Sequence, residues 1–504
     1  MNKLKKTLAL VAALSMTVTA FASCGDDPSS STPSSSTAES STAESSAADS
    51  SDANSDESSE ESSQAPQEST GEVDASVGQG GDTLTIAAWN ADDVPYLIAQ
   101  WKGIDYSSDD ARKALVADLE ADKVDGVHFI SFGVGGGKAA ENYDQLFKDG
   151  SDLDVYFCEA DWALKYINDD TKTMDLAKLG LGDTDFSNIY GYTDTIGMSE
   201  SGVRKGISWQ AAAGGFAYRA DLAEEYLGAK TPDDMQKEIA DWDKFVAAAQ
   251  KVSEASSGSV ALADSLGGLW QAYACGRTSP WVTNGVLTID SFCEDFATTA
   301  KTLWDCNGVS HENQWDDTWK TAGLTGNTMG YFVSTWGFGS FFLDAAGGVG
   351  GDQYGKWALC EGPTPFYWGG TWIVVNPATD NGNEAREFII SATSDEAAMT
   401  EYAKTKPEYV NNKKVMDDLI AANTVFNEDV TGNFVDNQNI YASLADVAKQ
   451  IDFNGLITPY DAKVKEDFIT AVKEELCQGG KSWDDTKTRF EDDVLEHITD
   501  ITVE

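Results

Sequence analysis

Apolar and polar positions alternate with two different periods over the first part of the predicted fold. Short apolar runs predict buried strands at Leu84–Trp89, Val127–Phe132 and Leu153–Phe157. Between them, Asp109–Asp122 and Ala139–Phe147 carry apolar residues three or four positions apart, which predicts helices. Alternating helices and strands indicate an α/β fold with a mostly parallel sheet, and such sheets bind ligands beyond the carboxyl ends of their strands.

The later part of the chain has a weaker alternation. Amphipathic helices are predicted at Asp241–Ser253, Asn383–Ala392 and Glu466–Leu476. A single apolar run at Thr371–Asn376 predicts a late strand, which indicates that the chain returns to its first sheet.

The first residues have the pattern of a secretion signal. Met1–Lys6 is basic, and Thr7–Phe21 is largely apolar but shorter than the roughly 20 residues of a membrane span. Two small residues then precede Cys24, an ending that resembles the lipobox of bacterial lipoproteins, with Phe21 where Leu is usual. The resemblance implies a signal peptide over 1–23 and lipid attachment at Cys24. An ordinary signal peptide with an incidental cysteine is the alternative.

Residues 24–81 are predicted to be a disordered tether rich in Ser and acidic residues. Gly25 to Gly81 contains 13 Asp and Glu, no Lys or Arg, and no aromatic residue. Such a segment cannot bury enough apolar surface to offset its conformational entropy, and its like charges keep it extended. The folded part is therefore expected to begin at Asp82.

The charge of the whole chain excludes several classes of partner. It has 504 residues, a formal net charge of −49 and a pI near 4.1. A nucleic-acid binder needs a basic face, and anionic membrane surfaces or acidic substrates would be repelled. With 41% hydrophobic residues, the length suits two or three folded domains.

Catalytic motifs are largely missing from the sequence. Gly133–Lys138 lacks the spacing of a phosphate loop, which needs Gly at Phe132 and Ser or Thr at Ala139. There is no G-x-S-x-G elbow. We expect neither a metal nor a cofactor, because the histidines are far apart in the sequence: His128, His311 and His497. A glycosidase needs only two carboxylates, so 84 acidic residues leave that class open.

Six cysteines follow Cys24, and they allow 15 disulfide pairings between which the sequence does not choose. They are Cys158, Cys275, Cys293, Cys306, Cys360 and Cys477.

Tryptophan and carboxylate residues occur together after two predicted strands. Trp89 begins the segment Trp-Asn-Ala-Asp-Asp, and Glu159–Trp162 follows the third strand. An indole face suits the C–H face of a pyranose, while carboxylates accept hydrogen bonds from its hydroxyl groups. We therefore expect a sugar site that includes Trp89, Glu159 and Trp162.

The order of several motifs resembles the extracellular solute-binding proteins of ABC sugar importers, family 1, the group that includes maltose-binding protein. The resemblance covers nearly all of Asp82 to Glu504 and is carried by Leu84–Asp92, Gly150–Phe157, Gly206–Gln210, Phe216–Leu222, Asp241–Val246, Thr325–Trp336, Gly362–Pro365, Trp368–Asn376 and Ala385–Phe388. It implies a periplasmic-binding-protein-like fold, with two α/β lobes, a central ligand cleft and hinge crossovers. By matched position, lobe 1 is 82–212 and 372–430, and lobe 2 is 213–371 and 431–504.

The same resemblance implies ligand-binding residues. The positions matched to the family's ligand contacts are Asn90, Asp92, Asp161 and Trp336. Ala212 stands where maltose-binding protein has a ligand Glu, for which Gln210 or Trp209 would substitute. Trp270 and Trp368 are added because their chemistry and approximate position suit a sugar.

The implied function is capture of a sugar or oligosaccharide, without catalysis, and delivery to the permease subunits of an ABC importer. The protein would be a monomer outside the cytoplasm, anchored by lipid to the outer face of the cytoplasmic membrane. Two alternatives stay open: a surface-anchored glycoside hydrolase or lyase, and the same fold with a non-sugar ligand such as a peptide or polyamine.

Overall fold

The structure, a computed structural model, describes eight ranges of the chain: 70–89, 93–106, 108–338, 352–353, 355–406, 408–423, 438–452 and 456–503. Within them the strands are β1 Leu84–Ala88, β2 Val127–Ser131, β3 Val155–Glu159, β4 Gly206–Ser208, β5 Ala213–Arg219, β6 Ala261–Ala263, β7 Val282–Thr283, β8 Val286–Leu287, β9 Thr328–Ser334, β10 Trp357–Cys360, β11 Phe366–Tyr367 and β12 Thr371–Val375.

The helices of the described ranges lie between and after these strands. They are α1 Asp93–Lys102, α2 Asp109–Glu120, α3 Gly136–Asp149, α4 Ala163–Ile167, α5 Gly191–Gly197, α6 Ala220–Leu227, α7 Pro232–Glu238, α8 Trp242–Ala255, α9 Leu266–Tyr273, α10 Ser291–Asp305, α11 Asp317–Thr325, α12 Thr335–Gly337, α13 Gly382–Thr393, α14 Glu396–Thr405, α15 Lys413–Ala421, α16 Ile440–Gln450, α17 Asp461–Ala471 and α18 Trp483–His497. None of the described helices is both long enough and apolar enough to cross a membrane.

The first sheet has the strand order β2-β1-β3-β12-β4. Strand β1 runs parallel to β2 and β3, whereas β12 runs antiparallel to β3 and β4. Every residue of β1 and β12 is buried, as expected for strands covered on both faces. The α/β fold and the late return to the first sheet are therefore confirmed. In the register of β3 and β12, Glu159 lies opposite Thr371.

The second sheet has the order β10-β5-β9-β6, with β11 also paired to β5. It is antiparallel except for the pair β6 and β9. Aromatic rings fill its faces so closely that a Cβ on Gly330 would lie 2.2 Å from the Phe216 ring. All strands of the second sheet lie between residues 213 and 367, and those of the first lie before and after them.

One predicted helix differs from the observed one. The helix predicted at Glu466–Leu476 begins earlier, at Asp461, and continues beyond Ala471 as a π-helical segment over Val472–Gln478. The Thr458 backbone N–H and hydroxyl both donate to the Asp461 carboxylate, at 2.8 and 2.6 Å. This polar turn starts the helix ahead of its apolar pattern, which is why the pattern places the start too late.

The folded part also begins earlier than Asp82, because residues 70–81 contact it. The backbone N–H groups of Gly71, Asp74 and Gly81 donate to carbonyl groups of Gly180, Lys178 and Asp380 at 2.8 to 3.1 Å. Val77 is buried in the core. The predicted tether boundary is thus corrected: the scattered valines of 70–81 find apolar surface that composition alone does not reveal.

The six downstream cysteines are all free thiols. Cys158 and Cys360 are buried, where they behave as small apolar side chains.

Asp154 joins the first sheet to the loop that follows β12. Its buried carboxylate accepts from Thr85 N at 2.7 Å, Thr379 Oγ1 at 2.6 Å and Asn381 Nδ2 at 3.1 Å. Burial raises its pKa despite these donors. We expect Asp154→Ala to lower the free energy of unfolding by about 3 kcal/mol, because the buried Thr85 N–H and Thr379 hydroxyl lose this acceptor.

Urea denaturation measures this loss. Asp152→Ala, which changes an exposed carboxylate two residues away, is the matched control and should leave the midpoint unchanged. Equal midpoints for the two variants would contradict the role of Asp154.

Candidate functional site

A cleft of about 1570 Å³ opens between the two sheets. On the side of the first sheet it is lined by residues at or just after the carboxyl ends of β1, β2 and β3: Trp89, Gly133–Lys138, Glu159 and Asp161. The side of the second sheet contributes the start of α9, the loop 312–315, residues after β9 and β11, and one face of α17. The cleft thus lies where an α/β sheet is expected to bind its ligand.

Within the described ranges, two crossovers connect strands of the two sheets at the floor of the cleft. They are residues 209–212, between β4 and β5, and residues 368–370, between β11 and β12. Ala212 has φ 49° and Gly370 has φ 103°, so both crossovers turn through left-handed backbone conformations. The first crossover pairs with residues 409–411: Ala211 N donates to Tyr409 O at 2.9 Å, and Asn411 N donates to Trp209 O at 2.8 Å.

Three indoles form an aromatic wall on the side of the second sheet. Trp336 stacks on Trp315 with centroids 6.2 Å apart and 18° between planes, and it meets Trp368 edge to face at 5.1 Å. Trp336 Nε1 donates to Trp368 O at 2.6 Å. Trp315 is 49% exposed and has φ 78°, a conformation that is unfavourable for a bulky residue. An exposed indole held in such a conformation is typical of a binding site.

Trp89 faces the cleft from the first sheet and rests edge to face on Trp162, with centroids 5.8 Å apart. Trp162 is itself buried, and its Nε1 donates to Gly136 O at 3.2 Å. Trp162 therefore supports Trp89 from below rather than lining the cleft.

Two carboxyl groups lie together at the end of β3, and one of them contacts α17 on the opposite side of the cleft. Asp161 N donates to Glu159 Oε2 at 2.9 Å, and Lys465 of α17 forms an ion pair with Asp161. Removal from water and the neighbouring Asp161 charge raise the pKa of Glu159 to about 8. The ion pair links the two sides of the cleft directly.

A second buried carboxyl group, Glu408, lies at the floor. Its Oε2 accepts from Gln210 Nε2 at 2.8 Å and its Oε1 accepts from Thr335 Oγ1 at 2.6 Å. Burial raises the pKa of Glu408 to about 8, against the effect of these two donors. Glu408 thus ties the first crossover to the residue that follows β9.

The structure brings six of the predicted site residues to the cleft: Trp89, Glu159, Asp161, Gln210, Trp336 and Trp368. Three predicted tryptophans do not line it. Besides Trp162, Trp209 is buried with its Nε1 donating to Tyr402 Oη at 3.1 Å. Trp270 is buried among Trp281, Phe296 and Phe468, and borders only an adjoining cavity of about 80 Å³. Asn90, Asp92 and Cys24 lie outside the described residues.

Sequence reasoning missed several residues of the cleft, among them Trp315, Glu408 and Lys465. Trp315 sits in a polar stretch, Glu312-Asn-Gln-Trp, and an indole without apolar neighbours was the available signal. Glu408 and Lys465 give no such signal, since one acid among 84 and one lysine on an amphipathic helix look like surface residues.

The lining of the cleft is close to neutral. It holds six acidic and five basic side chains: Asp93, Glu159, Asp161, Glu312, Glu408 and Glu466, with Arg112, Lys138, Lys406, Lys465 and Lys473. Burial raises the pKa of two of the acids, Glu159 and Glu408, which favours their neutral forms. Across the part of the chain that the structure describes, no cluster of three His, Cys, Asp or Glu could hold a metal ion.

The model of the family "Bacterial extracellular solute-binding protein" matches residues 114–431, more than half of the chain. The chain belongs to this family of bacterial extracellular solute-binding proteins, which places it outside the cytoplasm. No curated protein sequence matches it.

Solved structures share the fold at low sequence identity. A family 1 extracellular solute-binding protein is 16% identical with a TM-score of 0.67, over 82% of this chain and 99% of its own. The ABC transporter associated binding protein from B. animalis subsp. lactis Bl-04, in complex with β-1,6-galactobiose, is 15% identical with a TM-score of 0.61, over 84% and 99%. The galacto-N-biose-/lacto-N-biose I-binding protein from Bifidobacterium longum, in complex with lacto-N-biose, is 14% identical with a TM-score of 0.60, over 84% and 100%.

The pKa of Glu408 makes stability depend on pH. A carboxyl group whose pKa rises from 4.5 when unfolded to about 8 when folded binds its proton more tightly in the folded state. Its contribution is complete below about pH 4.5 and is lost as the pH rises to about 8. We expect the Tm to fall over this window, and to fall less in Glu408→Gln, which cannot ionise.

Calorimetric melting between pH 5 and pH 9 tests this. Glu159 contributes in the same window, so the variant should retain part of the fall. Glu466→Gln, which removes an exposed carboxylate from the same cleft, is the control and should follow the unmodified protein. If the curve of Glu408→Gln also runs parallel to it, the buried proton is not on Glu408.

Proposed function

We propose that this protein captures a neutral sugar or oligosaccharide in the cleft and delivers it to the permease subunits of an ABC importer. The observation that carries the proposal is the aromatic wall of Trp315, Trp336 and Trp368 in a nearly neutral cleft. The chain as a whole carries −49, so a balanced lining is a local property. Flat indole faces beside polar side chains suit pyranose rings.

Structural relatives support a sugar rather than another solute. Two of the proteins with this fold are described in complex with disaccharides, β-1,6-galactobiose and lacto-N-biose. At identities of 14 to 15% the individual contacts do not transfer, so the ligand class of this chain rests on its own cleft.

Binding would close two lobes, 82–212 with 372–430 and 213–371 with 431–504. The division is supported by the sheets, whose strands lie on either side of the crossovers at 209–212 and 368–370. A ligand that contacts Trp89 on one side and Trp336 on the other favours the closed state, because it gains both sets of contacts only there. The ion pair of Lys465 with Asp161 already joins the two sides.

The protein would act without turnover, as a monomer held to the membrane by lipid at Cys24. The lipobox-like ending before Cys24 and the acidic segment after it support a tethered receptor.

Removing an indole from the wall should weaken sugar binding. Trp336→Ala and Trp315→Ala each lose about 1 to 3 kcal/mol of apolar contact, so we expect affinity to fall by about 5- to 150-fold. Trp336→Phe keeps a ring and should lose less. Titration calorimetry with maltose, lacto-N-biose, β-1,6-galactobiose and longer oligosaccharides measures the effect.

Trp483→Ala is the matched control, since this half-buried indole packs on Phe468 away from the cleft. Unchanged isotherms for Trp336→Ala and Trp315→Ala would remove the wall from the site. Steady release of reducing ends by the unmodified protein would instead favour a glycoside hydrolase.

Lipid attachment makes its own prediction. In a bacterial host, the full-length protein should incorporate labelled fatty acid and sediment with membranes, whereas Cys24→Ser should do neither. Cys275→Ser, which alters a cysteine of the folded part, should behave like the unmodified protein. Membrane association of Cys24→Ser would contradict the anchor.

A further inference from the structure

Two glutamines of the cleft each have a buried amide atom without a hydrogen-bond partner among the described residues. The atoms are Gln210 Oε1, at the floor, and Gln314 Nε2, on the side of the second sheet. One is an acceptor and the other a donor. Buried polar atoms of native proteins nearly always have partners, so each of these two asks for an explanation.

The orientation of the Gln210 amide is fixed from behind. Gln210 is 3% exposed, and its Nε2 donates to Glu408 Oε2 at 2.8 Å. Glu408 is held in turn by Thr335 Oγ1 at 2.6 Å, and Thr335 Oγ1 accepts from Tyr409 N at 3.0 Å. Since the amide nitrogen is engaged by Glu408, the group that Gln210 can offer to a ligand is its carbonyl oxygen.

A neighbouring amide shows that the fold can satisfy both ends of an amide beside this crossover. Asn411 lies in the segment that pairs with the Gln210 crossover, and both ends of its amide are bonded. Its Oδ1 accepts from Tyr190 N and Thr193 Oγ1, each at 3.0 Å, and its Nδ2 donates to Ser208 O at 2.8 Å. Asn411 does not line the cleft, whereas Gln210 does.

The Gln314 amide lies against the first turn of α9. A Cβ added to Gly267 would come within 2.7 Å of Gln314 Oε1 and 3.2 Å of its Cδ. Gly267 therefore leaves the space that the amide occupies. Gln314 directly precedes Trp315, so the donor atom and the exposed indole belong to one loop of the cleft.

We propose that Gln210 Oε1 and Gln314 Nε2 bind the ligand, the first by accepting and the second by donating a hydrogen bond, and that Glu408 is the positioning residue for Gln210. The inference rests on the proposed function and sharpens its ligand class. A hydroxylated ligand both donates and accepts, whereas an ammonium group only donates and a carboxylate only accepts. The pair thus selects neutral polyols over polyamines and acidic solutes.

The Gln314 side is tested by two variants that leave the fold intact. Gln314→Met removes the donor, and Gly267→Ala displaces the amide while adding a helix-favouring residue to α9. We expect each to weaken binding of the tightest disaccharide among maltose, lacto-N-biose and β-1,6-galactobiose by at least about tenfold, with Tm unchanged or higher. Gln145→Met, on the exposed face of α3, is the control and should keep full affinity.

The positioning role of Glu408 is tested by a double-mutant cycle. Gln210→Met should weaken the same disaccharide by at least about tenfold, and Glu408→Met should weaken it as well, because Gln210 Nε2 then loses the acceptor that orients the amide. In the Gln210→Met background, Glu408→Met should have no further effect. Equal losses in both backgrounds would show that Glu408 only supports the fold.

Outcomes separate this inference from the proposed function. If a disaccharide binds and Gln210→Met, Gln314→Met and Gly267→Ala all keep its affinity, the inference is wrong and sugar binding stands. If spermidine or glucuronate binds and no saccharide does, both are wrong. If no probe binds, the sugar proposal fails and the inference is decided by thermal melting. A loss of Tm of more than about 5 °C in Gln314→Met would show that the Gln314 amide stabilises the fold, and would overturn the inference.

Discussion

The pairing of residues 209–211 with 409–411 is the constraint on which the cleft depends. It holds the crossover between the sheets in register with a segment that carries Glu408. Glu408 in turn is bonded to Gln210 on one side and to Thr335, at the end of β9, on the other. Were this register to slip by one residue, every side chain of the shifted segment would change face and the floor would lose its polar groups.

Sequence patterns predict the fold well and the site only in part. Strands β1 and β12 are nearly continuous apolar runs because both faces of the sheet are covered there, so their positions follow from the sequence pattern. The roles of the individual tryptophans do not follow from the sequence pattern. Trp162 and Trp209 are buried because their indole N–H groups find acceptors inside the fold, at Gly136 O and Tyr402 Oη. The periodicity of apolar residues does not reveal such hydrogen-bond acceptors.

Residues of the cleft floor are harder still to predict from sequence. Glu408 is distinguished from the other acidic residues only by burial, which is produced by segments almost 200 residues away. Lys465 gains its significance from Asp161, 304 positions earlier. The lining of the cleft is nearly neutral although the chain is strongly acidic. The net charge therefore reflects the outer surface, and the ligand class has to be read from the cleft residues.

Segment 70–81 attaches the amino-terminal end of the described chain to one half of the fold only. All its described backbone hydrogen bonds to the rest of the fold go to residues 178–180 and 380–382, beside the first sheet. A tether on the amino-terminal side would therefore be attached to the first sheet. In the proposed closure, Trp315 and Trp336 of the second sheet would approach this attached half of the protein.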